Sequence, residues 1–521
     1  MGRSLWGWGN TESMPPLESV AKRAAMLGEL ERVAPKPFEP ASLPKPRVDV
    51  PAALSTFAST DQTARAAHAH GKAYPDRFRG FRGDFAAAPD LVITPRDANE
   101  VAIAIEVCET AAIALTPFGG GSSVVGGVEP RLGPKHRGTA SLDLAALGKV
   151  LEVDDVSRLA RIEAGAYGPA LEAQLATKGF TLRCFPQSFE FSTLGGWIAT
   201  RAGGHFATLH TRIDDLTHSV TMITPRGTIA TPRFPSSGAG PDPKRLVLGS
   251  EGTLGVITEA WMRIRPRPTH RAQASFNFEH FHDAVDAARE LSQSGLYPSN
   301  CRLLDPVEAL VHGVAFDGSS VLIVAFESDD HALQAWMDRA LEIARAHHGK
   351  SERGAQSDRS GDAQSEDWRK AFLEGPYLQD ALICLGVIAD TFETACTWTV
   401  FPELYGQVNA AMSAALEKVC GGGAVSCRFT HVYPDGPAPY FTFIGKARPG
   451  AELEQWAELK QCASDALQKA GGTITHHHAV GRTHRDGYLR ETPKPFVDAL
   501  RAAKAQLDPA GMLNPGVLFE S

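Results

Sequence analysis

The chain has no excess of positive charge: 52 lysines and arginines face 60 aspartates and glutamates over 521 residues, a formal net charge of −8. Nucleic-acid binding needs a basic field, and no stretch is dense enough in Lys and Arg to build one, so no nucleic-acid partner is expected. Cysteine is sparse as well. Cys108, Cys184, Cys301, Cys384, Cys396, Cys420, Cys427 and Cys462 make no C-x-x-C pair. That argues against a zinc ribbon or a disulfide framework and for reduced thiols in a cytoplasmic setting. Long apolar runs are missing too. The cleanest, ALICLGVIA at 381–389, is about half of the ~20 residues that a spanning helix needs. The opening MGRSLWGWGNTESMPP has no apolar signal-peptide core. A soluble, cytoplasmic protein is expected, with peripheral membrane contact and a homodimer left open.

Several common motifs are also absent. The glycine loop at 119 is not G-x-G-x-x-G, since Val124 breaks it, and no amphipathic helix follows. No G-x-x-x-x-G-K-[ST] loop exists, and Leu248 occupies the glycine position that a nucleophilic Ser250 would need.

What is present is an ordinary soluble composition, 43% apolar and 21% charged, in a chain long enough to divide into two or more domains. Residues 1–84 read as helical and extended pieces. Residues 91–94 read as a strand, Asp97 with Glu100 as a capping box, and Val101, Ile105 and Cys108 as one helical face. With a strand at 114–117 this gives a β-α-β unit ending in glycines. Short strands dominate 141–265, with TPRG at 224–227 as a hairpin turn and a helix over 168–179 ending on Gly179. Beyond 265–270 helices and strands alternate as in a second α+β unit. The polar stretch 348–368 is predicted as a loop.

Three glycine-punctuated segments, PFGGGSS (117–123), PQSFEFSTLGGWIATRAGGH (186–205) and LGSEGTLGVITEA (248–260), point to one extended ligand such as a dinucleotide. In this order and spacing they resemble the FAD-binding domain of the vanillyl-alcohol oxidase/p-cresol methylhydroxylase superfamily. Within it the chain resembles the alkyldihydroxyacetonephosphate synthase (alkylglycerone-phosphate synthase) family, through WGWGN (6–10), IDDL (213–216), FETA (392–395), CRFTHVY (427–433) and HHHAVGR (476–482).

The resemblance implies an α+β fold: a two-subdomain FAD-binding domain of the p-cresol methylhydroxylase (PCMH) type over 85–268, then an FAD-linked oxidase C-terminal cap or substrate domain over 269–521. The end of that second domain would return to the flavin. It implies FAD held by Pro117, Phe118, Gly119, Gly120, Gly121, Ser122 and Ser123 at the pyrophosphate, with Pro186, Gln187, Ser188, Phe189, Glu190, Phe191 and Ser192 beside it. Ala199, Thr200, Arg201, Ala202, Glu251, Gly252, Thr253, Leu254, Gly255, Val256 and Ile257 would line the remainder. Residues 117–127 and 186–200 contain no His or Cys, so the FAD is expected to be non-covalent.

Three adjacent histidines, His476, His477 and His478, would alternate sides if 474–478 were a strand. Hydroxy-acid dehydrogenase relatives hold a metal in this region. Here His431 keeps one ligand position, but Ala438 and His477 replace a histidine and a glutamate, so no metal is expected. By the resemblance, Tyr440, the histidines, Arg302 and Arg428 are the catalytic candidates. Gln379 stands in YLQD where the family has a phosphate-binding arginine, a neutral side chain replacing a cationic fork. The implied reaction exchanges the acyl group of acyl-dihydroxyacetone phosphate for a fatty alcohol through a flavin N5 adduct, on a lipid-like substrate. An FAD oxidase or dehydrogenase of a hydroxy acid or alcohol is the alternative, and a binding protein without catalysis is the third reading.

Overall fold

The computed structural model describes residues 2–206, 208–351, 356–357 and 363–520, with backbone alone at 356–357 and 363–373. The β-α-β unit forms as its pattern predicts. Strand Leu91–Ile93 leads through helix Ala98–Thr110 to strand Ile113–Phe118, and both strands lie parallel to Gly138–Asp143. Asp97 caps the helix, accepting the N–H groups of Asn99 and Glu100 at 2.9 Å. The return half of the capping box does not form. Glu100 accepts the Arg96 N–H instead, because its carboxylate also pairs with the Arg96 guanidinium. Val101, Ile105 and Cys108 pack on Leu91, Leu115 and Leu142, a burial worth roughly 1.5–3 kcal/mol for each large side chain. Met512 and Leu513 enter the same core, and Leu513 bridges Leu115 in parallel, so the end of the chain braces the strand that carries the glycine loop.

A second, antiparallel sheet runs in the order Val150–Asp154, Leu159–Glu163, Val256–Arg263, Thr217–Thr224, Gly227–Ala230. TPRG turns between the last two with Thr224 opposite Gly227. Helices Gly168–Ala176 and Leu194–Thr200 share its core through Leu171, Leu175, Trp197 and Ile198. The first of these stops at Ala176, three residues short of the glycine expected to end it.

The third sheet is seven-stranded and antiparallel: Gln356–Ser357, His270–Phe278, Ser320–Ser328, Asn300–Leu304, Gly423–Tyr433, Gly436–Lys446, Val387–Glu393. Helices Phe281–Gln293, Gln334–Ala346, Phe401–Cys420 and Glu452–Lys469 pack against it. The predicted loop at 348–368 lies partly outside the described residues. From 363 onward the expectation fails: helix Ala363–Cys384 runs through, anchored by Ala381 and Leu382 against Val20 of helix Leu17–Arg23 and against Ala24, which caps it.

Register across this sheet sets up the chemistry. Glu393 pairs with Tyr440, Tyr440 with Arg428, and Arg428 with Leu304. Directly opposed residues project to one face, and so do residues two apart on a strand. Arg302, Arg428, Tyr440, Glu393 and Thr391 are thereby placed on one side of four adjacent strands.

Candidate functional site

A cavity of about 310 Å³ lies where the sheets meet. Gly119, Gly120, Gly121, Ser122 and Ser123 line it beside Pro186, Gln187, Ser188 and Ser192, with Thr200 and Ala202 nearby. The seven-stranded sheet contributes Arg302, Arg428, His431, Tyr440 and Thr391, and the loop after 472 contributes His477 and His478. Trp8, Lys72, Arg77 and Gln379 form a further wall, and Val20, Ala24, Leu378, Leu382, Ala389 and Ile444 an apolar one.

The glycine loop is built to receive an anion. Among the described residues, none of the main-chain N–H groups of 119–123 donates a hydrogen bond, and successive free N–H groups facing a cavity are what a pyrophosphate requires. A Cβ on Gly120 would lie 1.8 Å from the main-chain oxygen of Phe191. The glycine is therefore required by the contact between two loops, rather than by a clash with the ligand itself. The loop and its unbonded donors fit the pyrophosphate of FAD.

The histidines are not on a strand. Residues 473–480 form an irregular turn wrapped round one buried carboxylate, Glu393, which accepts the N–H groups of His476 (2.7 Å), His477 (3.1 Å) and His478 (3.0 Å). The Thr475 hydroxyl also donates to Glu393, at 2.5 Å. A carboxylate that satisfies three consecutive amides removes the alternation of a strand. Burial alone would raise Glu393, but the facing His477, which also hydrogen-bonds it, leads the groups that hold it well below the usual carboxylate range. His477 and His478 reach the cavity. His476 packs behind, its Nε2 2.8 Å from the Tyr433 hydroxyl. Burial drives His431, His476 and His478 well below the usual histidine value, so they are neutral at pH 7.

Tyr440 stacks on His477, with ring centroids 5.9 Å apart, and meets the edge of His478 at 5.4 Å. Its hydroxyl donates to Thr391 Oγ1 at 3.0 Å, not to a histidine. Burial raises it, with the Arg428 guanidinium 4.1 Å over its ring acting in the other direction. Arg428 is also locked to Glu308, and that carboxylate is held below the usual range: burial opposes the shift, but Arg428 and His312 prevail. Arg302 is 1% exposed, hydrogen-bonded to His205, and pushed down to about 9 by burial and by Arg428.

Several residues expected at the cofactor stand behind the cavity wall. Phe118 packs on His68, Phe189 on Trp197, and Phe191 on Trp8, while Glu190 is exposed. Pro117 lies against Gly252, and Ala199 accepts the Glu251 N–H. Arg201 pairs with Asp214 at 2.7 Å. Glu251 holds the N–H groups of Val480 and Gly481, so it positions the turn that follows the histidines. Thr253 bonds back to Ser250, Gly255 abuts Met222, and Leu254, Val256 and Ile257 are core. These side chains were expected to line the ligand. They are not among the residues that line this cavity, and Val256 and Ile257 lie on a buried strand.

Ring nitrogens of His431, His476 and His477 lie within 4.8 Å of one another, the one set of side chains at the cavity, among the described residues, that could gather a metal. His431 already holds Thr430 at 3.1 Å and the Gly204 oxygen at 2.9 Å, and His476 holds Tyr433 and His477. Coordination there would have to break bonds already made, and Ala438, opposite His431 in register, offers no ligand atom. The residues that reading the sequence missed are Glu393, Lys72, Arg77 and Thr391. FETA contains Glu393, but nothing local marks it as the anchor for residues 83 to 85 positions away.

Residues 89–232 match the family described as "FAD binding domain" and residues 267–518 the family "FAD linked oxidases, C-terminal domain". An alkyldihydroxyacetonephosphate synthase of Dictyostelium discoideum is 30% identical over 485 residues, covering 88% of this chain and 78% of that protein. One of Caenorhabditis elegans is 30% identical over 493 residues, covering 89% and 81%. A solved structure of an alkyldihydroxyacetonephosphate synthase superposes with a TM-score of 0.82 at 25% identity, covering 98% of this chain and 97% of that one.

Proposed function

The chain belongs to the alkyldihydroxyacetonephosphate synthase family of FAD-dependent enzymes, and from that membership we propose that it exchanges the acyl group of an acyl-dihydroxyacetone phosphate for a fatty alcohol. The observation that carries the proposal is one cavity joining an anion-binding glycine loop, a Tyr–His–Arg cluster and an apolar wall. FAD, when bound, supplies an electrophilic centre that can take an electron pair and return it without net oxidation.

The chain's own groups do the rest. His477 and His478 face the cavity beside Tyr440. Neutral His478 is ready to accept the proton alpha to the substrate ketone, and the Tyr440 phenol, kept protonated by burial, to donate one. Glu393 fixes the turn so that both histidines hold their angle to Tyr440. The Arg302 guanidinium meets the departing carboxylate with a full charge in a dry site. Arg428, spent on Glu308 and stacked over Tyr440, positions that ring. Val20, Ala24, Leu378, Leu382 and Ile444 accept the aliphatic chain of either partner. Cytoplasmic placement with peripheral membrane contact belongs to the same proposal, since both chains of the exchange are lipid-soluble. Among the described residues no helix is long and apolar enough to cross a membrane.

The test is to mix the FAD-loaded enzyme with palmitoyl-dihydroxyacetone phosphate and hexadecanol. The expected products are the alkyl ether and free palmitate, with no oxygen uptake. Full flavin reduction by a hydroxy acid under anaerobic conditions, with no exchange, would select the oxidase or dehydrogenase alternative.

A further inference from the structure

Gln379 puts a neutral side chain in the cavity wall where the resemblance implied an arginine. Its side-chain oxygen is occupied, accepting a hydrogen bond from Arg77. Arg77 in turn is committed to Asp380 at 3.0 Å and to the Pro376 oxygen at 3.1 Å, and is 3% exposed. Neither side chain has a free cation to offer a ligand.

Lys72 has one. It lines the same cavity, is 6% exposed, and its ammonium makes no hydrogen bond or ion pair among the described residues. Its main-chain N–H donates to the Ser123 oxygen at 2.6 Å, so its backbone is pinned to the glycine loop. The charges around it are Arg3, Arg77, Asp380 and Asp76. Asp380 is already taken by Arg77 and the Trp8 N–H, and Asp76 by Arg79. Burial, reinforced by Arg3, pushes the Lys72 ammonium down to about 7. An unpaired, desolvated ammonium is costly to keep, and a ligand bringing negative charge to this wall removes that cost.

We propose that Lys72 is the phosphate anchor of the substrate, with the Gln379 amide N–H as a neutral second donor held in place by Arg77. This rests on the synthase reading, which supplies a phosphate monoester as the ligand. A cationic point charge and an amide hold the phosphate by charge more than by bidentate geometry.

The experiment uses full-length, FAD-loaded protein and follows the visible flavin spectrum during titration with dihydroxyacetone phosphate and, separately, with dihydroxyacetone. Lys72→Met should keep its FAD and its affinity for the neutral triose, while Kd for the phosphate ester rises about tenfold or more, the scale of a lost charge-assisted bond. Lys72→Arg should stay close to wild type, and adding Gln379→Arg to Lys72→Met should recover most of the loss. Gln379→Arg alone, which leaves Lys72 in place, should tighten the ester and not the triose. Loss of FAD from Lys72→Met with phosphate discrimination intact would assign the lysine to the cofactor pyrophosphate and overturn the proposal. Equal binding of ester and triose by the wild type, or an unchanged ester Kd in Gln379→Arg, overturns it as well. A wild type that binds the ester through Lys72 but performs no exchange supports the anchor and sinks the synthase reading instead.

Discussion

Tyr440 shows how one side chain depends on partners far off in sequence. Its ring is held between Arg428 and His477, and among the described residues its hydroxyl donates to Thr391 alone. Tyr440→Phe removes that single hydrogen bond and no packing, so FAD content and melting temperature should stay near wild type. Turnover should fall by about 10²-fold or more, the scale of a general acid–base group. Wild-type turnover in this variant would remove the phenol from the chemistry. Tyr440 and the histidines were legible through resemblance, but their geometry was not. T-I-T-H-H-H reads locally as a strand, and only the Glu393 carboxylate, set opposite Tyr440 by sheet register, turns it into a loop. Lys72 gave no signal at all, because its significance comes from which of its neighbours are already paired.

At the scale of elements, local pattern was a better guide. The β-α-β unit, the TPRG hairpin and the glycine loop each follow from residues close together in sequence, and each is where the pattern puts it. The cofactor wall was less legible, since direct lining and support behind it share one glycine-rich texture. Helix Leu194–Thr200 separates the two. A Cβ on Gly196, which lines the cavity, meets only Thr193 Oγ1 at 3.5 Å, in contrast to Gly120. Gly196→Leu should therefore fold with normal circular dichroism and bind FAD at least tenfold more weakly, about 1.4 kcal/mol. Full occupancy at limiting FAD would show that the cofactor runs elsewhere. The same walls predict a dissociable flavin. Acid precipitation of the yellow protein should leave FAD in the supernatant, and colour remaining in the pellet would mean a covalent bond to one of the cavity histidines.

For the molecule as a whole, the buried histidines set the acid limit. His205, His431, His476 and His478 are held well below the usual value, and His484 falls to about 4, each chiefly by burial. With folded values below the unfolded one near 6.5, the unfolded chain takes up protons first. Stability is complete above about pH 6.5 and is lost as pH falls toward the folded values, at about 1.4 kcal/mol per unit for each histidine. Glu251 and Asp305, both raised to about 7 by burial, act in the opposite sense between their ordinary values and 7. The lowered histidines outnumber the raised carboxyls even with Asp76 and Asp380 added, so the urea midpoint should drop steadily from pH 7 to 5. A flat or rising midpoint would falsify the neutral-histidine assignment.

The N-terminal strap carries a consequence for how the protein is made. Arg3 is bonded to the Gly120 oxygen, and Trp8, which walls the cavity, is held by Asp380. The ribosome delivers residues 3–8 first and their last partner some 370 residues later, about half a minute afterwards at common synthesis rates. Within that interval the Trp8 end gains Phe191 to pack on but lacks the Asp380 carboxylate that its N–H donates to. Seating of the strap over the glycine loop is therefore completed only once Asp380 has been made.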